Sequence, residues 1–365
     1  MTLGLRTILL VLALATPVLA EPFELPIQGL ESRIEFWKKV YTQYGADDVI
    51  IHDRIHVNLI YDVAAESDAD SKVRLIKSAL SEIQANLSTP ENLSVTATQI
   101  GETIVANGLS LSDSTLVDLR ANIHTQRGIK ERFRDGIVRS GRYIDSFQTI
   151  FEKQGVPTQI ALLPLVESSF ENRSLSKAGA AGIWQFTRGT GRRYLTIGNK
   201  LDERLDPPKA TRAAARLLME NYSALGSWPL AITAYNHGRA GMMRAQSQVG
   251  SDLTSIIDQY DGPLFGYASM NFYSEFVAAV DVYENYQQYF GELVLDTPST
   301  KTSTATQAPV QLAKAKPSTS GKYKVRSGDS LSAIAQRFRT SIKELMEMNN
   351  LSNSVIHAGQ ILLIK

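Results

Sequence analysis

A stretch near the C-terminus sets the architecture. From Asp296 to Gly321 the chain reads DTPSTKTSTATQAPVQLAKAKPSTSG, rich in Ser, Thr, Pro, Ala and Lys and without an aromatic residue. It has too little apolar surface to offset the entropy of ordering it, so residues 296–321 are predicted to be a flexible linker. As a flexible coil of about 26 residues it would reach roughly 25–30 Å. It divides the 365 residues into a large N-terminal body and a tail, residues 322–365.

Composition removes several function classes. Basic and acidic residues number 38 and 37, a net charge of +1, where a generic nucleic-acid binder would be clearly basic. Cysteine is absent, which excludes disulfides, thiolate metal sites, cysteine nucleophiles and a lipid on an N-terminal cysteine. Residues 1–20, MTLGLRTILLVLALATPVLA, place Arg6 before an apolar run and end on Val18-Leu19-Ala20. That is the pattern of a secretory signal cleaved after Ala20. No later segment is apolar enough to span a membrane, so a periplasmic or exported protein is expected, with no membrane span after cleavage.

Within the body, residues 21–125 are expected to form an accessory region. ESRIEFWKKVYTQYG sets Ile34, Trp37, Val40 and Tyr41 on one helical face, and DDVIIHDRIHVNLIYDV alternates as a strand pair. Helical patterns dominate from Ser67 onward. Ile129, Phe133, Ile137, Tyr143, Phe147 and Phe151 recur at helical spacing, and no sheet is evident between Gln126 and Phe290. Asp206-Pro207-Pro208 is a helix start, with a capping carboxylate and prolines that need no N–H there, and Gly226 is the matching stop.

The chemistry concentrates at one carboxyl. QIALLPLVESSF carries Glu167-Ser168 at the end of an apolar helix-like segment. An apolar setting disfavours the ionised form and suits a general acid near neutral pH. The dipeptide alone carries little weight, because Glu31-Ser32 and Glu66-Ser67 repeat it. Its company carries more. Gly182 and Gln185 follow in AGAAGIWQF, where small residues permit close backbone approach, Trp184 and Phe186 offer faces to a sugar, and Gln185 offers an amide. Ala234-Tyr235-Asn236 adds a phenol and a second amide, followed by His237.

Glu-Ser, Gly-x-x-Gln and Ala-Tyr-Asn, in that order over residues 126–290, resemble the lytic transglycosylases of the goose-lysozyme-like superfamily. The resemblance implies a mainly α fold: a lysozyme-like helical catalytic domain (residues 126–295) behind a helical N-terminal region. It implies cleavage of peptidoglycan between N-acetylmuramic acid and N-acetylglucosamine, with Glu167 as acid and then base and a 1,6-anhydro end as product. It also implies Ser168, Gly182, Gln185, Tyr235 and Asn236 as substrate-binding residues, with no metal or cofactor. The family tyrosine near the glutamate aligns with Phe272, so either Tyr273 takes that role or the role is missing. A muramidase that uses water and a non-catalytic wall-binding protein are the alternatives. Asp202, Glu203 and Asp206 are the candidates for a second carboxylate and read better as loop and capping residues. His52, Asp53 and His56 read as structural, since strand positions four apart lie roughly 13 Å from each other.

The tail, KYKVRSGDSLSAIAQRFRTSIKELMEMNNLSNSVIHAGQILLIK, reads as strand, two helices and strand. Leu331, Ile334, Ala335 and Phe338 share one helical face, and Ile342, Leu345 and Met348 another. V-x-x-G-D-S-L and I-x-x-G-Q-x-L resemble a LysM module. The resemblance implies a βααβ fold and glycan contacts at Gly328, Asp329, Ser330, Leu331, Val355 and Ile356. Peptidoglycan strands are thus the expected partner of both bodies, and nucleic acid is not.

Overall fold

The computed structural model describes residues 25–298 and, in the tail, 321–325, 334–335, 338, 340, 342–349, 351, 356 and 360–364. Contacts divide the chain into two units, up to Thr300 and from Lys301. The expected signal segment, residues 1–20, and most of the expected linker lie outside the described residues.

The body is mainly helical. In chain order it contains α1 (Glu31–Thr42), β1 (Asp48–Asp53), β2 (Ile60–Ala65), α2 (Ala69–Ala85), α3 (Val95–Ala106), α4 (Asp113–Ala121) and β3 (Ile123–Arg127). There follow α5 (Lys130–Ser140), α6 (Ile144–Lys153), a 3-10 turn (Thr158–Leu162), α7 (Pro164–Glu167) and α8 (Arg188–Gly191). The remainder is α9 (Pro207–Leu225), α10 (Trp228–His237), α11 (Arg239–Val249), α12 (Leu253–Gln259), α13 (Tyr267–Glu284) and α14 (Tyr286–Phe290).

The N-terminal region is not purely helical. β1 pairs antiparallel with β2 on one side and β3 on the other. The strand pair is legible in the sequence, but β3, IHTQR, is polar and short and has no strand pattern of its own. Pairing with β1 makes it a strand. β1 is buried on both faces, because successive side chains point opposite ways. Ile50 joins the larger core with α1, whereas Ile51 joins a smaller core with Leu80, Ile83, Ile100 and Leu116 of α2 to α4.

That packing does not follow a boundary at residue 125. Phe36, Trp37, Val40 and Tyr41 of α1 lie in one core with Phe133, Phe147, Trp184, Leu230 and Phe276. Tyr41 stacks on Phe133 with ring centroids 4.2 Å apart, and α1 lies along α13. Burying each such aromatic contributes roughly 1.5–3 kcal/mol, so α1 is an integral wall of the helical body.

Two local stops shape the site. Asp206 caps α9 by accepting from Lys209 N–H (3.1 Å), and Gly226 closes it in the left-handed region at φ 76°. The apolar segment before Glu167 is not one helix. Pro164 lacks the N–H that would continue the 3-10 turn and instead opens α7, a single turn ending at Glu167.

In the tail, β4 (Gly321–Lys324) pairs antiparallel with β5 (Ile361–Ile364), and α15 (Ile342–Met348) packs on β5. Tyr323, Val325, Ile334, Ala335, Leu345, Leu362 and Ile364 form its core, as the helical faces read from the sequence require. Asn349 ties helix end to strand: its amide donates to Leu345 O (2.8 Å) and Leu363 O (2.9 Å), and its Oδ1 accepts from Leu363 N–H (2.6 Å).

Candidate active site

The expected site residues converge on one loop, residues 182–186. Ser168 Oγ donates to Ile183 O (2.7 Å), Tyr235 OH donates to Trp184 O (2.8 Å), and Gln185 Nε2 donates to Gly182 O (2.8 Å). The end of α7 and the end of α10 are thereby stitched to the same backbone segment. Close approach, not ligand contact, explains the glycines here. Gly182 has φ 81°, and a Cβ on it would strike the carbonyl of Arg204. On α5, Gly136 lets the backbone of Ser169 pass against the helix.

Strain gathers at the same place. Among the described residues, three that are not glycine have positive φ: Ser169 (53°), Phe170 (56°) and Gln185 (46°). Two follow Glu167-Ser168 directly, and the third faces them across the loop's hydrogen bonds. Such conformations cost on the order of 1–3 kcal/mol each and persist where surrounding structure over-determines them.

Glu167 sits at this junction, half-buried at the end of a turn that Ser168, Ser169 and Phe170, all buried, follow. Protein hems in its carboxyl, and desolvation pushes its pKa up to about 8, with the charge of Glu275 adding to the rise. Tyr235 is near enough for Glu167 to raise its phenol as well, after the larger effect of burial. The arrangement can hold a proton at neutral pH and release it to a group entering the cleft.

Several expectations need correction. Trp184 and Phe186 do not offer faces to a sugar. Both are buried, and Trp184 Nε1 donates to Thr211 Oγ1 (2.8 Å) in the core. Ser168 is fully buried and Gly182 is enclosed, so both are packed into the loop and present no open surface here. Gln185 is half-exposed and Asn236 exposed, and both remain available to the cleft. Asn236 Oδ1 accepts from Ser269 Oγ (3.0 Å), and the same hydroxyl meets His237 Nδ1 (3.3 Å).

Tyr273 does not replace the family tyrosine. It is 1% exposed, and its hydroxyl donates to Pro26 O (3.0 Å) in the segment before α1. Phe272 is also buried. The group that α13 does bring is Glu275, which the sequence reading missed. The signal was there: a lone carboxylate in FYSEFVAAV, the same pattern that marked Glu167.

Asp202, Glu203 and Asp206 serve the loop before α9. Asp202 pairs with buried Arg204 (2.7 Å), Glu203 with Lys209 (2.6 Å), and Asp206 is the cap already described. His52 is buried against Phe36, and its Nε2 meets Tyr267 OH (3.2 Å). Asp53 Oδ1 accepts from Ile55 and His56 N–H (2.8 Å each), closing a turn. Of the expected glycan-contact residues in the tail, Gly328, Asp329, Ser330, Leu331 and Val355 lie outside the described residues. Ile356 packs half-buried against the tail's core.

This helical body, with a carboxyl at the end of a short helix and a loop pinned beneath it, matches a known family. Residues 146–257 match the transglycosylase SLT domain, and residues 323–365 match the LysM domain. The body thus contains a segment similar to the transglycosylase SLT domain, and the tail is similar to a LysM domain. The chain is 26% identical over 299 residues to membrane-bound lytic murein transglycosylase D of Escherichia coli, covering 64% of this chain and 66% of that protein. It is 32% identical over 123 residues to a putative tributyltin chloride resistance protein of an Alteromonas species, covering 33% of this chain and 59% of the relative. Its tail is 47% identical over 47 residues to the cell wall-binding protein YocH of Bacillus subtilis, covering 13% of this chain and 16% of the relative. Glu167, Gln185, Tyr235 and Asn236 lie inside the SLT match, whereas Tyr273 and Glu275 lie beyond it.

Proposed function

We propose that the protein is an exported peptidoglycan lytic transglycosylase, held at the cell wall by its LysM domain. The observation that carries this reading is a half-buried carboxyl kept protonated by desolvation, inside an SLT match and beside Tyr235. Glu167 donates its proton to the glycosidic oxygen between N-acetylmuramic acid and N-acetylglucosamine, and that bond breaks. The substrate's N-acetyl group supports the positive charge left at the anomeric carbon, as in substrate-assisted glycosidases. The Glu167 carboxylate then takes the proton of the muramic 6-hydroxyl as its oxygen closes on that carbon. The carboxyl regains its proton and no water is consumed. Gln185 and Asn236, the accessible amides, hold the acetamido groups. Ser168, Gly182 and Tyr235 fix the loop that aims them.

Kinship with a murein transglycosylase over the body and with a cell wall-binding protein over the tail supports the same substrate for both. The LysM domain raises the local concentration of glycan at the cleft without new catalytic contacts. In that domain Gly328, Asp329, Ser330, Leu331 and Val355 are the proposed glycan contacts. The leader at residues 1–20 supports export, and among the described residues no helix is long and apolar enough to cross a membrane.

The test is mass spectrometry of muropeptides from sacculi digested with the protein. Products about 18 Da lighter than hydrolytic ones, one water less, are expected. Reducing ends would make the enzyme a muramidase. Intact sacculi with bound protein would make it a wall-binding protein.

A further inference from the structure

α10 ends at His237, and α11 begins at Arg239. Between them Gly238, at φ 89°, folds the chain back, and Gly241 of α11 passes against the His237 ring. A Cβ at Gly241 would strike Nε2 and Cδ2 of that ring, and Phe265 packs on it at 86° with centroids 5.2 Å apart. Nε2 is thereby buried, with no hydrogen-bond partner among the described residues. The other nitrogen, Nδ1, lies 3.3 Å from Ser269 Oγ in the first turn of α13, and the same Oγ lies 3.0 Å from Asn236 Oδ1. Ser269 is 6% exposed, whereas Asn236 is open to solvent. A buried histidine and a buried serine thus both lead to the one accessible amide that follows Tyr235.

Counting protons gives the chain a direction. An amide oxygen only accepts, so the single hydroxyl proton of Ser269 goes to Asn236 Oδ1. His237 Nδ1 is then the donor to Ser269 Oγ. The far side of the ring agrees. The hydrogen that Gly241 carries in place of a Cβ points at Nε2, a contact that a lone pair tolerates and an N–H does not. The ring is neutral at working pH: burial lowers its pKa, the Leu264 backbone opposes this in part, and the charge of Arg244 adds to it. Leu264 lies close but meets no hydrogen-bond geometry at Nε2.

We propose that His237 and Ser269 are positioning residues of the active site: a relay from His237 Nδ1–H through the Ser269 hydroxyl to Asn236 Oδ1, which turns the Asn236 amide so that its Nδ2 donors face the acetamido carbonyls of the glycan. This rests on the proposed role of Asn236. Gln185 is held in the opposite sense. Its Nε2 turns inward to Gly182 O (2.8 Å) and Ser174 O (3.3 Å), which leaves Oε1 as an acceptor. The two amides therefore offer a donor and an acceptor, the complement of the C=O and N–H of N-acetyl groups. Sugar hydroxyls serve in either role and would bind an amide turned either way. Fixing the amide selects the N-acetylated sugar.

The test has two arms. In nitrogen-15 NMR of the histidine rings of the full chain at alkaline pH, with His237 assigned from His237→Asn, a ring protonated at Nδ1 is expected. Protonation at Nε2 overturns the relay. The second arm is kinetics on soluble glycan strands, scored as total cleavage whatever end is formed. Ser269→Ala should raise KM roughly three- to tenfold, the loss of one oriented hydrogen bond, with kcat within about a factor of two. His237→Leu should do the same, and His237→Asn, whose amide keeps a donor near the Nδ1 position, should restore most of KM. In an Asn236→Ala background, Ser269→Ala should add nothing, because no amide is left to turn. An unchanged KM in Ser269→Ala, or a rise as large without Asn236 as with it, overturns the proposal. Where His237→Leu does not fold, the cycle of Ser269 and Asn236 decides. A chain that cleaves nothing refutes the transglycosylase reading, and the NMR, which needs no turnover, still decides the relay.

Discussion

Two acidic regions of this body follow opposite rules. In the loop before α9, Asp202 lies against Arg204 and Glu203 against Lys209, and these hydrogen-bonded pairs hold both carboxyls below the usual range. Where α7 packs on α13, Glu167 and Glu275 have no such partner among the described residues, and desolvation pushes both up to about 8. The residue types are the same. What differs is whether the fold supplies a cation, and it does so where a loop must be fixed. A paired carboxylate is a structural clamp, and an unpaired, enclosed one is a store for a proton.

The largest expected effect separates the two regions by activity. Glu167→Gln should lower the rate of muropeptide release by about 10²–10⁴-fold, the contribution of a general acid. Asp202→Asn should leave the rate per folded molecule within a factor of about three, as for a change away from the chemistry. Equal losses would erase the distinction between proton store and clamp.

The regions should also respond to pH in opposite directions. Glu167 must be protonated to act, so the rate should fall as pH rises through about 8. Its raised pKa, like that of Glu275, contributes stability that is present at low pH and lost as pH rises, which thermal unfolding at pH 6 and 9 can measure. The Asp202 pair contributes stability at neutral pH that is lost as pH falls through the depressed pKa of Asp202. Asp202→Asn should therefore flatten the acid side of the stability curve and leave the alkaline side as it was.

Arg204 tests how firmly the clamp holds the site. Its guanidinium is buried and donates to Gly179 O (2.8 Å) and Phe186 O (3.0 Å) as well as to Asp202. Arg204→Ala should cost on the order of 3 kcal/mol in denaturant unfolding, because it strands these acceptors. Gly182→Ala, which forces a Cβ onto the Arg204 carbonyl at positive φ, should cost about 1–3 kcal/mol by the same measurement. The smallest effect belongs to Tyr273→Phe. It removes one hydrogen bond to Pro26 O, about 1 kcal/mol, and should leave kcat unchanged. A large fall in kcat would return Tyr273 to the cleft.

The order of segments, the cap and stop of α9, the helical faces of the tail and a glutamate set in an apolar run were all legible in the residues. These are local properties, fixed by neighbours within a few positions: side-chain period, capping groups, proline and glycine. Other features required the assembled chain. Periodicity showed that Tyr273 lies on a helix, but not that Pro26 waits opposite its hydroxyl. The glycine-rich loop was legible as a close approach, but the object approached is Arg204 and not a ligand. β3 became a strand only against β1. Glu167 and Glu275 stand far apart in the chain, and only the packing of α7 on α13 brings them within electrostatic reach. A carboxyl's charge state depends on the solvent it loses and the charges it meets, and both are set by segments distant in sequence. The sequence alone therefore nominated residues suited to the chemistry, and the tertiary structure decided which of them are buried, which are paired and which stay open to solvent.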